Sequence, residues 1–379
     1  MNVPAWFYAN ETPYLLIDES KYLRNISRLY TRIHALGSVV RPHLKTLRSP
    51  EAARYLLENE DSPATVSTLA EAEAFAEAGY RNILYAVGIS PHKLPRIAAL
   101  IQKGVNVHIL LDSKEQAEAV TSWGKEYGVI FSVFLEIDCD GHRGGIPPQS
   151  DLLPVLAEIT DRTGGAKLTG LLAHAGESYN CRTDEQILMA ARAECNAIRT
   201  AGYRLRQLGY DCPVLSVGAT PTAHYADDLK DISEVRAGVF TTFDLVMKNV
   251  GVCKFDDIAV AVVASVIGHN REKGWIFIDA GWMALSRDRG TASQGQDYGY
   301  GQVCTAEGNV CDGLIVNTTN QEHGIIELTG GYGIEDFPVG SRLRILPNHA
   351  CATAAMYRHY DVLGKEDQQH FVWHRITGW

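Results

Sequence analysis

Val107-His108-Ile109-Leu110-Leu111-Asp112, then eighteen mostly polar and alanine-rich residues, then Phe131-Ser132-Val133-Phe134-Leu135-Glu136-Ile137: this passage settles the architecture. Two short, almost unbroken apolar runs flank an amphipathic segment at residues 113–127. A strand covered on both faces reads as a continuous apolar run, and two strands joined through a helix pair in parallel. The alternation extends outward in both directions. Apolar runs recur at 14–18, 39–41, 64–67, 83–87, 168–172, 214–217 and 233–236, with helical patterns at 20–36, 68–78 and 183–208. The number of repeats predicts a (β/α)8 barrel rather than an open doubly wound sheet. No G-x-G-x-x-G follows the first run, so a dinucleotide site lacks its main support.

Beyond residue 250 the texture changes. Residues 258–267 are almost all β-branched or small and apolar, and further runs at 275–279, 313–316, 324–328 and 341–346 are separated by Gly, Asn and Pro turns. The expected organisation is a barrel over residues 13–250 and a mainly β domain over 251–379, joined by 1–12.

Composition narrows the function. A chain of 379 residues with 46% hydrophobic content builds a large core, and a net charge of −10 argues against nucleic acid or an anionic membrane as partner. No run approaches the roughly 18 apolar residues of a bilayer span. The opening sixteen residues carry no basic region followed by an apolar stretch, which predicts no signal peptide and a soluble, cytoplasmic protein. Eight cysteines without a CxxC pair do not form a disulfide framework or a closed zinc finger, and they read as buried reduced thiols. Cys351 differs because of its neighbour.

Three tracts carry chemistry. In Arg41-Pro42-His43-Leu44-Lys45-Thr46 the lysine falls at the end of an early strand, where barrel active sites are built. Such an amine forms imines if its neutral form is accessible, although a solvated or ion-paired lysine fits the same tract. Leu215-Ser216-Val217-Gly218-Ala219-Thr220-Pro221-Thr222 reads as strand, glycine turn and helix start, with Thr220 at the cap and Pro221 at the first helical position. It suits a phosphate, as does the glycine of Arg236-Ala237-Gly238, and also an ordinary turn. His349 and Cys351 are two residues apart. In a strand both would face one way and could meet one ion, zinc being the best match for imidazole plus thiolate.

The sequence resembles the fold-type III pyridoxal phosphate enzymes, in the group of D-serine dehydratase and D-threonine aldolase that shares the alanine racemase barrel. The tracts above carry the likeness, together with Val66 to Leu69, Glu71 and Glu73, Asp140 to Gly145, His174 to Gly176, Asp279 to Gly281, Gln321 to Gly324 and Leu346 to Cys351. Two tracts, residues 279–291 and 296–302, are most like the bacterial dehydratases of D-threo-3-hydroxyaspartate. The resemblance covers nearly the whole chain and implies an alanine racemase-like (β/α)8 barrel with a C-terminal mainly-β domain. It implies pyridoxal 5'-phosphate carried on Lys45, with Arg143 at its phenolic oxygen or ring, His174 against the ring, and Gly218, Thr220 and Gly238 at the phosphate. It also implies a divalent metal on His349 and Cys351, zinc first with manganese or magnesium as alternatives, and a homodimer. His323 is expected to assist the leaving hydroxyl, and Arg287 or Arg289 to meet a second substrate carboxylate. A small D-3-hydroxy amino acid would then lose water and, after taking up water again at the imine, release ammonia to give a 2-oxo acid. Retro-aldol cleavage to glycine and an aldehyde, and a non-catalytic cofactor-binding protein, are the alternatives. The thiolate at residue 351, where the aldolase branch has a carboxylate, favours the dehydratase.

Overall fold

Eight parallel strands form the first of two units: Val39–Pro42, Ala64–Val66, Asn82–Gly88, Asn106–Leu111, Phe131–Ile137, Ala166–Ala173, Val214–Val217 and Glu234–Ala237. In this computed structural model, which describes residues 3–366 and 369–379, the first strand pairs with the eighth and each later strand with the next. The gap between first and second is bridged by His43 opposite Thr65, with the Leu44 N–H donating to the Thr65 carbonyl at 2.8 Å. The ring therefore closes, as the apolar repeat predicts. Four consecutive strands contribute Leu84, Leu110, Phe134 and Leu172 to one buried cluster. Each such side chain contributes roughly 1.5–3 kcal/mol by leaving water.

The helices between strands start where the sequence supplies caps. Thr68 accepts the Glu71 N–H ahead of Leu69–Glu77, Ser113 and Gln116 form a reciprocal capping box for Lys114–Tyr127, and Thr183 caps Asp184–Gln207. Gly128, at φ 64°, ends the second of these in the left-handed conformation that glycine adopts without strain.

The second unit holds nine strands in the order Trp275–Ile278, Gly324–Glu327, Val310–Thr319, Gln302–Thr305, Arg342–Leu346, Val260–Asn270, Tyr14–Asp18, His359–Leu363 and His370–His374. Val260–Asn270 pairs with Trp275–Ile278 as well, so the sheet folds back on itself. The units divide at 27/28 and 238/239, not at 12/13 and 250/251, and residues 376–379 belong with the barrel. The difference starts at Tyr14–Asp18, expected as a barrel strand. It runs antiparallel to Val260–Asn270 and parallel to His359–Leu363. Its continuous burial is that of a central strand in either kind of sheet, which is why the apolar run alone misplaces it.

Among the described residues no helix is long and apolar enough to cross a membrane. No cysteine forms a disulfide, and five of the eight are buried.

Candidate active site

The barrel gathers six sequence-predicted residues at the C-terminal ends of its strands. Lys45 follows the first strand, Arg143 the fifth, His174 the sixth, Gly218 and Thr220 the seventh, and Gly238 the eighth. Lys45 lies exposed in a turn whose ends are pinned. His43 donates its N–H to the Ala237 carbonyl at 2.7 Å, and Arg48, in the left-handed region at φ 51°, donates to the Leu44 carbonyl at 2.9 Å.

The groups around Lys45 sense one another. Burial drives the His43 imidazole well below its ordinary pKa, and Lys45, Arg236 and His174 push it further down. Burial likewise takes His174 down to about 3, opposed by its bond to the Gly218 carbonyl and reinforced by Arg236, Lys45 and Arg143. A neutral His174 whose Nδ1 lies 2.9 Å from a carbonyl must carry its proton there, which leaves Nε2 as a lone pair. Arg143 contacts Glu136 at 3.6 Å and is 63% exposed, so its guanidinium keeps donors for a ligand.

The seventh-strand turn shows which groups suit a phosphate. Ala219 is the N-cap, and Thr220 and Pro221 occupy the first two helical positions of Thr220–Tyr225, one residue later than the sequence reading placed them. The Thr220 hydroxyl is fully buried without a hydrogen-bond partner among the described residues, an arrangement that costs about 1–3 kcal/mol unless a ligand completes it. Gly218 plays a different part. Its N–H donates to Glu194 at 2.9 Å, and at φ 134° a Cβ would lie 2.1 Å from the Arg236 carbonyl oxygen. It allows two backbones to touch and is not a phosphate donor. At Gly238 a Cβ would meet the His43 carbonyl at 3.1 Å.

Beneath these turns lies an ionic network that the sequence reading missed. Glu194, fully buried on Asp184–Gln207, accepts the Ala175 N–H at 2.9 Å, the Gly218 N–H at 2.9 Å and the Thr222 hydroxyl at 2.8 Å. Arg236 donates to the Ser216 hydroxyl at 2.7 Å and to the Ala173 carbonyl at 2.6 Å. Ser216 donates to Glu234, which also pairs with Arg41 at 2.7 Å. Burial lowers Arg236 to about 10 while Glu194, Glu234 and Glu136 raise it, so it stays a cation.

In the other unit, His349 and Cys351 are brought together, but not on a strand. The strand ends at Leu346, and His349 is the extended N-cap, at φ −132° and ψ 107°, of the helix Ala350–Ala354. The extended cap followed by a helical turn, rather than the period of a strand, puts Cys351 within hydrogen-bonding reach of the imidazole. Asp288 also meets the ring, its Oδ2 2.6 Å from Nδ1. Burial lowers the His349 pKa, and the bonds to Asp288 and Cys351 outweigh it, giving about 11. No group of three or more metal-ligating side chains occurs among the described residues, and an ion on two protein ligands alone would have positions left for water and substrate. His323 is exposed on the turn between Val310–Thr319 and Gly324–Glu327, and among the described residues its ring makes no hydrogen bond or ion pair. Arg289 pairs with Asp297 at 2.6 Å, whereas Arg287 packs 5.2 Å over the Trp282 ring.

The alanine racemase N-terminal domain model matches residues 17–245, and the putative serine dehydratase domain model matches 259–363. The D-threo-3-hydroxyaspartate dehydratase of Delftia sp. (strain HT23) is 46% identical over 97% of this chain and 98% of its own length. The chain belongs to the fold-type III pyridoxal phosphate family. The Delftia structure matches with a TM-score of 0.95 over 98% of this chain and 99% of its own. An alanine racemase-like protein of Idiomarina loihiensis is 58% identical over the whole of both chains, at a TM-score of 0.97. The D-serine dehydratase of Dictyostelium discoideum is 30% identical over 94% of each. Solved variants of a D-threo-3-hydroxyaspartate dehydratase, 44% identical, have alanine for a histidine and, in a metal-free form, alanine for a cysteine two positions later. A D-threonine aldolase of Filomicrobium marinum, at 19% identity and a TM-score of 0.83, shares the fold. The expected family and fold class therefore stand.

Proposed function

We propose that this chain is a pyridoxal phosphate- and divalent metal-dependent dehydratase of D-3-hydroxy amino acids, with D-threo-3-hydroxyaspartate as its preferred substrate and D-serine as a second. The observation that carries this reading is the His349–Cys351 pair, backed by Asp288, in a chain 46% identical to a hydroxyaspartate dehydratase. The cofactor supplies an aldehyde carbon for the substrate amine and a ring that takes up charge from Cα. The metal supplies Lewis acidity at the β-hydroxyl, since hydroxide is a poor leaving group.

The chain's own residues divide the remaining work. Lys45 would hold the cofactor through Nζ and, when not bound to it, would serve as the general base toward the Cα proton. The buried Thr220 hydroxyl would donate to the phosphate, and the exposed Arg143 guanidinium would meet the phenolic oxygen. His174, fixed by the Gly218 carbonyl, would pack its uncharged ring against the cofactor. His349 and Cys351 would hold the metal, and zinc suits this donor pair best. Loss of the Cα proton and the β-hydroxyl leaves an enamine, which tautomerises to an imine and takes up one water to release the 2-oxo acid and ammonia. His323, exposed on its turn, would assist the departing hydroxyl beside the metal pair.

The test is product analysis on purified protein given D-threo-3-hydroxyaspartate, D-serine and D-threonine, with and without EDTA. Oxaloacetate or pyruvate with equimolar ammonia, lost on chelation and restored by zinc or manganese, is the expected result. Glycine with an aldehyde would replace the reading by retro-aldol cleavage, and no turnover of any substrate would leave a cofactor-binding protein.

Arg287 is the candidate partner of the second carboxylate, because Arg289 already has Asp297. Arg287→Met is expected to lower kcat/KM for 3-hydroxyaspartate by roughly 10–100-fold, the range of a lost charge-assisted bond of 1.5–3 kcal/mol. The rate on D-serine should change by less than about threefold. Equal losses on both substrates would remove Arg287 from the specificity argument.

A further inference from the structure

The carboxylate of Asp288 has no part in the chemistry above, yet it occupies one of the two nitrogens of the His349 ring. Its Oδ2 lies 2.6 Å from Nδ1. An imidazole has one ring N–H when neutral, and a carboxylate at Nδ1 holds that hydrogen there. Once the second ring proton leaves to make room for an ion, the lone pair lies on Nε2, the nitrogen that Asp288 does not hold.

The surroundings fix both partners. On the Asp288 side, Ser286 sits at φ 73°, a left-handed conformation uncommon for a residue other than glycine, and its hydroxyl accepts the Asp288 N–H at 3.1 Å. The strained turn re-aims the chain so that Asp288 faces the imidazole. On the His349 side, Leu245 and Val246 donate their N–H groups to the carbonyls of Pro347 and Asn348, both at 3.1 Å. The buried Asp244 carboxylate accepts the Ala350 N–H at 2.9 Å, and Thr353 donates to the Leu285 carbonyl at 3.1 Å. Thr291 closes the frame by donating to the Asn348 side chain at 2.6 Å. Both ends of the Asp288–His349 bond therefore rest on hydrogen-bonded backbone.

We infer that Asp288 is the positioning residue of the metal site: it selects the His349 tautomer that presents Nε2 and fixes the ring's direction, so that two protein ligands suffice to retain the ion. The inference rests on the proposed metal role of His349 and Cys351. It also gives a reason for the small ligand set. A two-ligand site gains little from chelation, so its affinity depends on how well each ligand is pre-aimed and on how basic the imidazole is. A carboxylate behind a metal-bound histidine supplies both effects, and losing one lowers metal affinity by roughly 10–100-fold.

The experiment is a chelator-competition titration with zinc on the cofactor-loaded wild type, Asp288→Ala, Asp288→Asn, His349→Ala and Cys351→Ala. Thermal midpoints of the metal-free forms and the visible absorbance of the cofactor are recorded beside it. Asp288→Ala is expected to bind zinc roughly 10–100-fold more weakly than wild type, with midpoint and absorbance unchanged. Asp288→Asn keeps an acceptor for Nδ1–H without the charge and should fall between the two. Zinc affinity in both Asp288 variants within twofold of wild type would overturn the inference while leaving the metal reading intact. A wild type that binds zinc no better than His349→Ala or Cys351→Ala would overturn the metal reading itself. A lowered thermal midpoint in both Asp288 variants, with affinity restored when the folded fraction is counted, would reduce Asp288 to a structural role and also defeat the proposal.

Discussion

Lys45→Ala is expected to abolish turnover while leaving the fold in place. Lys45 is exposed in its turn, and surface substitutions away from special features usually change stability by less than about 0.5 kcal/mol. Under the proposed function the same side chain both carries the cofactor and takes the Cα proton. Loss of the base alone lowers kcat by roughly 10²–10⁴-fold. Loss of the covalent hold adds a second signature, because dialysis should strip the visible absorbance from the variant and not from the wild type. Lys45→Arg separates the cation from the chemistry. A guanidinium keeps the charge that bears on His43 and His174, but its pKa lies too high for it to form an imine or act as a base. Both variants should be equally inactive, and a small primary amine added to Lys45→Ala should restore part of the rate. A Lys45→Ala protein that keeps more than a tenth of wild-type activity would remove Lys45 from both roles.

The lysine was legible because the barrel itself was. Parallel strands covered on both faces leave near-continuous apolar runs, and eight of the nine runs between residues 14 and 236 are barrel strands. Once the first of them ends at Pro42, a lysine three residues on can only be at the mouth. The ninth run, Tyr14–Asp18, shows the limit of this logic. Burial on both faces records how central a strand is, not which sheet it joins, and its partners lie about 250 and 350 positions further along the chain. Gln302–Thr305, His359–Leu363 and His370–His374 left weaker marks, because short, polar or edge strands lack a full apolar face.

The site divides along the same line. His349 and Cys351 were found through residue type, yet the geometry that joins them is a helix cap and not a strand, a distinction two residues cannot encode. Asp288 escaped notice because its meaning comes from a contact across 61 positions. Glu194 was the more readable omission. On Asp184–Gln207 the buried stripe runs Ile187, Ala191, Glu194, Cys195, Ile198, Ala201 and Leu205, so a carboxylate interrupts an apolar face at helical spacing. A buried charge at such a position has a partner or a purpose.

That purpose makes Glu194 the second large prediction. Its two oxygens gather three donors from two different turns: the Ala175 N–H beside His174, the Gly218 N–H beside Thr220, and the Thr222 hydroxyl. Burial raises its pKa, opposed by the Gly218 N–H, the Thr222 hydroxyl, Arg236 and the Ala175 N–H, so the charge is costly while the acceptor geometry is needed. Glu194→Ala leaves those donors without an acceptor and removes one of three carboxylates that sustain the buried Arg236 cation. Breaking a buried charge network by deleting one partner costs about 3–5 kcal/mol, and urea denaturation of the metal- and cofactor-free protein should show a loss of that size. Glu194→Gln tests which property matters. The amide oxygen can still accept both N–H groups, and the Thr222 hydroxyl has the Ala219 carbonyl, 3.2 Å away, as an alternative acceptor. The Gln variant should therefore lose less than about half as much stability as the Ala variant. It should keep its affinity for pyridoxal phosphate within roughly tenfold, because the turn carrying Thr220 stays tied to the loop carrying His174. If Gln and Ala prove equally destabilising, the charge on Glu194 rather than its acceptor geometry holds the mouth of the barrel together, through Arg236.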